Sequence, residues 1–125
     1  MRHRRHYTLE EARALRAYVA DRVQLARDGL ATLAEPESRT ALDEVDPRLG
    51  GAWPGRRVAR AVLDVQRAVG ELHASDIVVR DIVRGLIDFP SIQDGEEVYL
   101  CWLVHEPEIG WWHELDAGFP GRRPL

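Results

Sequence analysis

The pair Asp94-Gly95 constrains the fold of this chain more than any other two residues. Both central positions of a type I′ turn need positive φ, which Asp and Gly tolerate, so the β-forming runs on either side must fold back on each other. Those runs are Leu86 to Ile92 and Glu97 to Leu103. In that register Phe89 lies opposite Leu100, Ile87 opposite Trp102 and Asp88 opposite Cys101. Pro90 faces Tyr99 where its missing N–H is not needed, which makes the first run an edge at that point. A further strand is expected to begin near Ile77, in the β-branched IVVRDIV run, with Asp81 to Gly85 left open between strand and turn.

Glu106-Pro107-Glu108 supplies the next turn and returns the chain through Ile109 to Leu115. With a tight turn there, alternation sorts the side chains. One face collects Ile87, Phe89, Val98, Leu100, Trp102, Trp111, His113 and Leu115. The other collects Arg84, Asp88, Tyr99, Cys101, Trp112, Glu114 and Asp116. The first is the more apolar and is expected to be the core face, which gives His113, Trp102, Phe89 and Trp111 structural roles. The tail after Ala117 is expected to be a turn anchored by Phe119, not a strand.

Helices should cover that face. Thr8 and Glu11 form a capping box after Tyr7. From there Leu15, Val19, Val23, Ala26, Leu30 and Leu33 recur at helical spacing, predicting one helix from Leu9 to Ala34 that Pro36 stops and Gly29 bends or frays. Val58, Val62, Val65, Val69 and Leu72 mark a second helix, antiparallel to the first, with His73 near its C-terminal dipole. Between them, residues 35–56 are rich in Pro and Gly. A short helix from Arg39 to Val45, capped by Ser38, is expected there, with Trp53 docking the connection.

The predicted architecture is α+β: an antiparallel helical hairpin packed on a small, three- to four-stranded, mainly antiparallel sheet. A single domain over 1–125 is expected, with 1–6 a flexible tail, 7–74 the helical hairpin with its irregular 35–56 connection, and 77–125 the sheet and C-terminal turn. No apolar run approaches the roughly 18 residues of a membrane span. The basic N-terminus lacks the apolar stretch of a secretory signal, so cytoplasmic residence is the expectation. One Cys excludes an intrachain disulfide. A net charge of −4 opposes duplex nucleic acid as a partner, because phosphate neutralisation needs a basic face.

Linear reading suggests a metal cluster of His113, Glu114 and Asp116, but strand alternation turns His113 away from the two carboxylates. The parity argument favours Asp88, Glu114 and Asp116 on one face instead, with Arg84, Tyr99 and Trp112 as neighbours. Three carboxylates suit a divalent cation with oxygen ligands or one shared proton of raised affinity. They also suit ion pairs with Arg80, Arg84, Arg122 or Arg123, which is the favoured reading. Cys101 reads as a small buried residue with no His on its face to activate it. His3 and His6 lack a third ligand, and His105 is expected to be solvated.

The segments Tyr7-Thr8-Leu9-Glu10-Glu11-Ala12, Arg84-Gly85-Leu86-Ile87-Asp88-Phe89-Pro90, Asp94-Gly95, Val98-Tyr99-Leu100-Cys101-Trp102 and His113-Glu114-Leu115-Asp116-Ala117-Gly118-Phe119 resemble the bacterial domain-of-unknown-function 2203 family over nearly the whole chain. The resemblance implies a small bacterial protein with a helical part and this C-terminal signature, and it brings no established activity. Relatives often have a more continuous charged helical region where this chain has its Pro/Gly-rich 35–55 segment.

With no nucleotide-binding, zincin or hydrolase motif present, the expectation is a non-enzymatic binding or assembly module that self-associates. The alternative is a metal-dependent or acid–base enzyme at the carboxylate face. The pattern demands no cofactor. A divalent metal is the one the face suits, and a protein partner or small anionic ligand the partner it suits.

Overall fold

The computed structural model describes residues 1–43 and 55–125. Four helices, α1 (Leu9–Ala14), α2 (Arg16–Ala34), α3 (Pro36–Asp43) and α4 (Gly55–Ala74), precede five strands, β1 (Val78–Asp81), β2 (Leu86–Gln93), β3 (Glu96–Leu103), β4 (Trp111–Glu114) and β5 (Arg123–Pro124). The strands form one antiparallel sheet in chain order. The α+β class and the helical pair are as expected. The sheet has five strands rather than three or four, because Arg123 and Pro124 add a short edge beyond the 3-10 turn Phe119–Gly121.

Thr8 and Glu11 close the capping box at the start of α1. The expected single helix from Leu9 to Ala34 is interrupted at Leu15, whose N–H bonds Ala12 and so tightens the turn before α2 resumes. Val19, Val23 and Ala26 are buried on α2. The helix continues through Gly29 to Ala34. A Cβ there would lie 2.9 Å from the Ala61 carbonyl oxygen and 2.7 Å from Val65, so the missing side chain lets α2 and α4 approach closely. The connecting helix starts at Pro36 rather than Arg39, since Pro favours the first helical position, and Ser38 is buried inside it instead of capping it. Val45 and Trp53 lie outside the described residues.

The Asp94-Gly95 turn has positive φ at both positions, 50° and 81°. The β2–β3 register is the predicted one, with Phe89 opposite Leu100, Ile87 opposite Trp102, Asp88 opposite Cys101 and Pro90 opposite Tyr99. Ile87, Phe89, Leu100 and Trp102 pack with Val19, Val23 and Leu72 in the main core, joined by Trp112.

The next turn differs from expectation. Seven residues, 104–110, separate β3 from β4, in place of a tight Glu106-Pro107 return. Glu106 organises them: its carboxylate accepts from the Leu103 N–H, its N–H donates to the Leu103 carbonyl, and its own carbonyl accepts from Trp102 Nε1. An odd loop length moves β4 by one residue and exchanges its faces. Cys101 now opposes Trp111, Tyr99 opposes His113 and Val98 opposes Glu114. Trp112 therefore joins the core face, while Trp111 and His113 join the face of Asp88, Tyr99 and Cys101.

Residues 1–6, expected to be a flexible tail, are tied along their length across that second face. The Glu97 carboxylate accepts from the N–H groups of Arg2 (2.7 Å) and His3 (2.9 Å) and pairs with His6 Nε2 (2.7 Å), and Asp76 accepts from the Arg5 N–H at 3.0 Å. Burial alone would raise the Glu97 carboxyl. The His3 N–H, the His6 ring and the Arg2 N–H overcome it and hold the group at about 2. A carboxylate depressed in the folded state adds stability above its unfolded value of about 4.3, and loses it as pH falls toward 2. Glu97→Gln should therefore cost about 2 kcal/mol at pH 7 and flatten the acid limb. Urea unfolding at pH 7 and pH 3 reads this, and an equal acid loss in both proteins would refute it.

Candidate metal centre

The second face of the sheet is polar at its centre although it is sealed. Asp88 and His113 are 2% and 1% exposed, and Cys101 is fully buried. Leu86, Leu103, Trp111 and Phe119 pack around the thiol. His113 Nε2 lies 3.1 and 3.0 Å from the two oxygens of Asp88, and Nδ1 lies 2.7 Å from the Glu114 carbonyl oxygen. One ligand atom each from Asp88, Cys101 and His113 forms a group whose members all lie within 4.8 Å of one another.

The partners around this trio orient it. Arg80 Nε donates to Asp88 Oδ2 at 2.8 Å, whereas Oδ1 meets His113 Nε2 at 3.1 Å. The β1–β2 register shifts between Val79 and Asp81, so Arg80 is the extra residue of a bulge, a device that re-aims a side chain. Desolvation draws the Arg80 guanidinium down, but the hydrogen bond and charge of Asp88 leave it raised. Its carbon sits 4.9 Å above the Tyr99 ring, and the Tyr99 and His113 ring centroids are 5.4 Å apart. The Tyr99 hydroxyl lies 2.6 Å from His3 Nε2, so the N-terminal segment covers this side. On the other side Arg122 rests on Trp111 at 4.5 Å and on Phe119 at 4.8 Å.

Both ring nitrogens of His113 face oxygen atoms, and an ion bound at Nε2 would stand between that nitrogen and Asp88. Burial, followed by the Asp88 charge, pushes the Cys101 thiol up to about 12, while the Arg122 charge pulls the other way. The free thiol is thus protonated and a poor nucleophile at neutral pH, and metal binding would have to displace its proton.

A family model described as an uncharacterized conserved protein (DUF2203) matches residues 5–125. The chain belongs to this family. No curated protein and no solved structure matches it.

In this DUF2203 protein the carboxylates predicted to cluster are apart. Asp88 shares the face of Cys101, whereas Glu114, opposite Val98, points to the other side of the sheet. Glu114 is exposed and lies 3.8 Å from Arg123; Asp116, beyond β4, is exposed and lies 3.1 Å from Arg2. Arg84 stands over Phe119 and its N–H bonds Asp81, away from Asp88, and Trp112 faces the core. Of the predicted face, Asp88, Tyr99 and Cys101 stay on one side. His113, read as structural, joins them because β4 is shifted by one residue. The usable signal was the length of 104–110: ending the loop at Gly110 rather than Pro107 gives this pairing.

Proposed function

We propose that this protein is a metal-binding module holding one divalent transition-metal ion between Asp88 Oδ1, Cys101 Sγ and His113 Nε2. The observation that carries the reading is the convergence of three different donor types in a sealed interior. One thiolate, one imidazole and one carboxylate suit zinc or a similar ion better than magnesium or calcium, which prefer oxygen alone. The surroundings support this as well. A ligating His normally gives its other N–H to a carbonyl, as His113 does to Glu114, and a ligating carboxylate is itself hydrogen-bonded, as Asp88 is by Arg80. Metal–ligand distances of about 2.0–2.3 Å require the widest donor pair to close by about 1 Å.

Three protein ligands leave one coordination position, the arrangement of reactive rather than closed structural zinc sites. This reading takes up the metal-dependent alternative drawn from the sequence, with Asp88, Cys101 and His113 as ligands in place of Asp88, Glu114 and Asp116.

Elemental analysis of protein purified without an affinity tag, followed by cobalt(II) loading, tests the reading. About one ion per chain and a thiolate-to-cobalt charge-transfer band are expected, with both lost in Cys101→Ser. At a hundredfold excess over Kd the ion should add about 2.7 kcal/mol to stability. Neither bound metal nor a cobalt spectrum would make the trio a structural ion-pair cluster instead.

A further inference from the structure

We infer that the remaining coordination position of this centre takes a small monoanion, steadied by the guanidinium of Arg122. The inference rests on the metal reading above and adds a ligand class to it. Arg122 is the buried cation stacked on Trp111, beside the sulfur ligand. Its side chain is only 10% exposed, and Nη2 donates to Glu106 Oε2 at 2.6 Å. Nη1 is buried and has no hydrogen-bond partner among the described residues. The guanidinium carbon lies 4.5 Å from the Trp111 ring centroid and 4.8 Å from that of Phe119, and Trp111 is the cross-strand partner of Cys101. An unpaired cationic donor is thus fixed in the wall beside the sulfur ligand.

Charge favours the same occupant. A divalent ion with the Asp88 carboxylate and a Cys101 thiolate is neutral. Arg80 and Arg122 bring two positive charges to its margin, and Glu106 offsets one of them. One unit of positive charge remains in a region of low polarity, where an anionic ligand is stabilised more than water is. The three ligand residues are 2% exposed or less, so the probes are the smallest anions, azide and formate.

The test uses full-length protein loaded with cobalt(II) and titrated with azide and then formate, read from the visible spectrum. A saturable spectral change is expected in the wild type. Arg122→Gln keeps a polar side chain and loses the charge; it should bind both anions about ten- to hundredfold more weakly while its cobalt affinity stays within about threefold. Arg122→Lys, which keeps a charge, should fall between them and covers the case in which the Gln variant does not fold. Equal anion affinities in a folded Arg122 variant would remove Arg122 from the role. No saturable change in a cobalt-loaded wild type would overturn the anion while leaving the metal. A wild type that takes up no cobalt overturns both.

Discussion

Asp88→Ala should lower the unfolding free energy by about 3 kcal/mol. The carboxylate is 2% exposed and is the common acceptor for His113 Nε2 and Arg80 Nε, so its loss strands two donors at once. The cost sits at the low end of the range for breaking a buried pair because Arg80, 40% exposed, still reaches water. Asp88→Asn separates stability from binding. Its amide oxygen accepts from Arg80 and its NH2 donates to a neutral His113, so about 1 kcal/mol is lost, but the anionic ligand is gone. Urea unfolding with and without zinc reads both quantities. If zinc stabilises Asp88→Asn as much as the wild type, Asp88 is not a ligand.

Tyr7→Ala should cost about 4 kcal/mol, comparable to emptying a core site of an aromatic ring. Tyr7 is 1% exposed and meets Phe89 edge-on with ring centroids 5.7 Å apart. It also joins three parts of the chain. Its N–H donates to the Pro90 carbonyl, its carbonyl accepts from Ser91 Oγ at 2.6 Å, and its hydroxyl donates to the Ser75 carbonyl at 2.6 Å. The N-terminal segment thus runs beside β2 beyond the reach of β1, where Pro90 had suggested an edge. Tyr7→Phe removes only the Ser75 bond and should cost about 1 kcal/mol. A thermal or urea series that ranks Phe as damaging as Ala would place the weight on the hydroxyl and not on the ring.

Much of the fold was legible because it is written in local patterns. The capping box at Thr8, the 3–4 spacing of Val19, Val23 and Ala26, and the Asp94-Gly95 turn each act over a few residues, where steric and hydrogen-bonding preferences dominate. The site was not legible for one reason. Its membership depends on the parity of a loop held by Glu106 contacts to Leu103, Trp102 and Arg122, and those contacts exist only in three dimensions. Miscounting that loop by one residue exchanged His113 for Glu114 and turned a mixed-donor trio into an all-carboxylate one. The tethering of residues 2–6 was hidden likewise, since their partners Asp76 and Glu97 lie more than 70 positions away.

The hydrogen bonds from Arg2 and His3 to Glu97 span 95 and 94 residues. A chain emerging from the ribosome makes its N-terminal cover before the surface it covers. The other cover, Phe119 and Arg122, follows that surface in the chain. Asp88 and Cys101 thus leave the ribosome before both halves of their enclosure can be in place, and the face they share is shut only after Arg122 has been made.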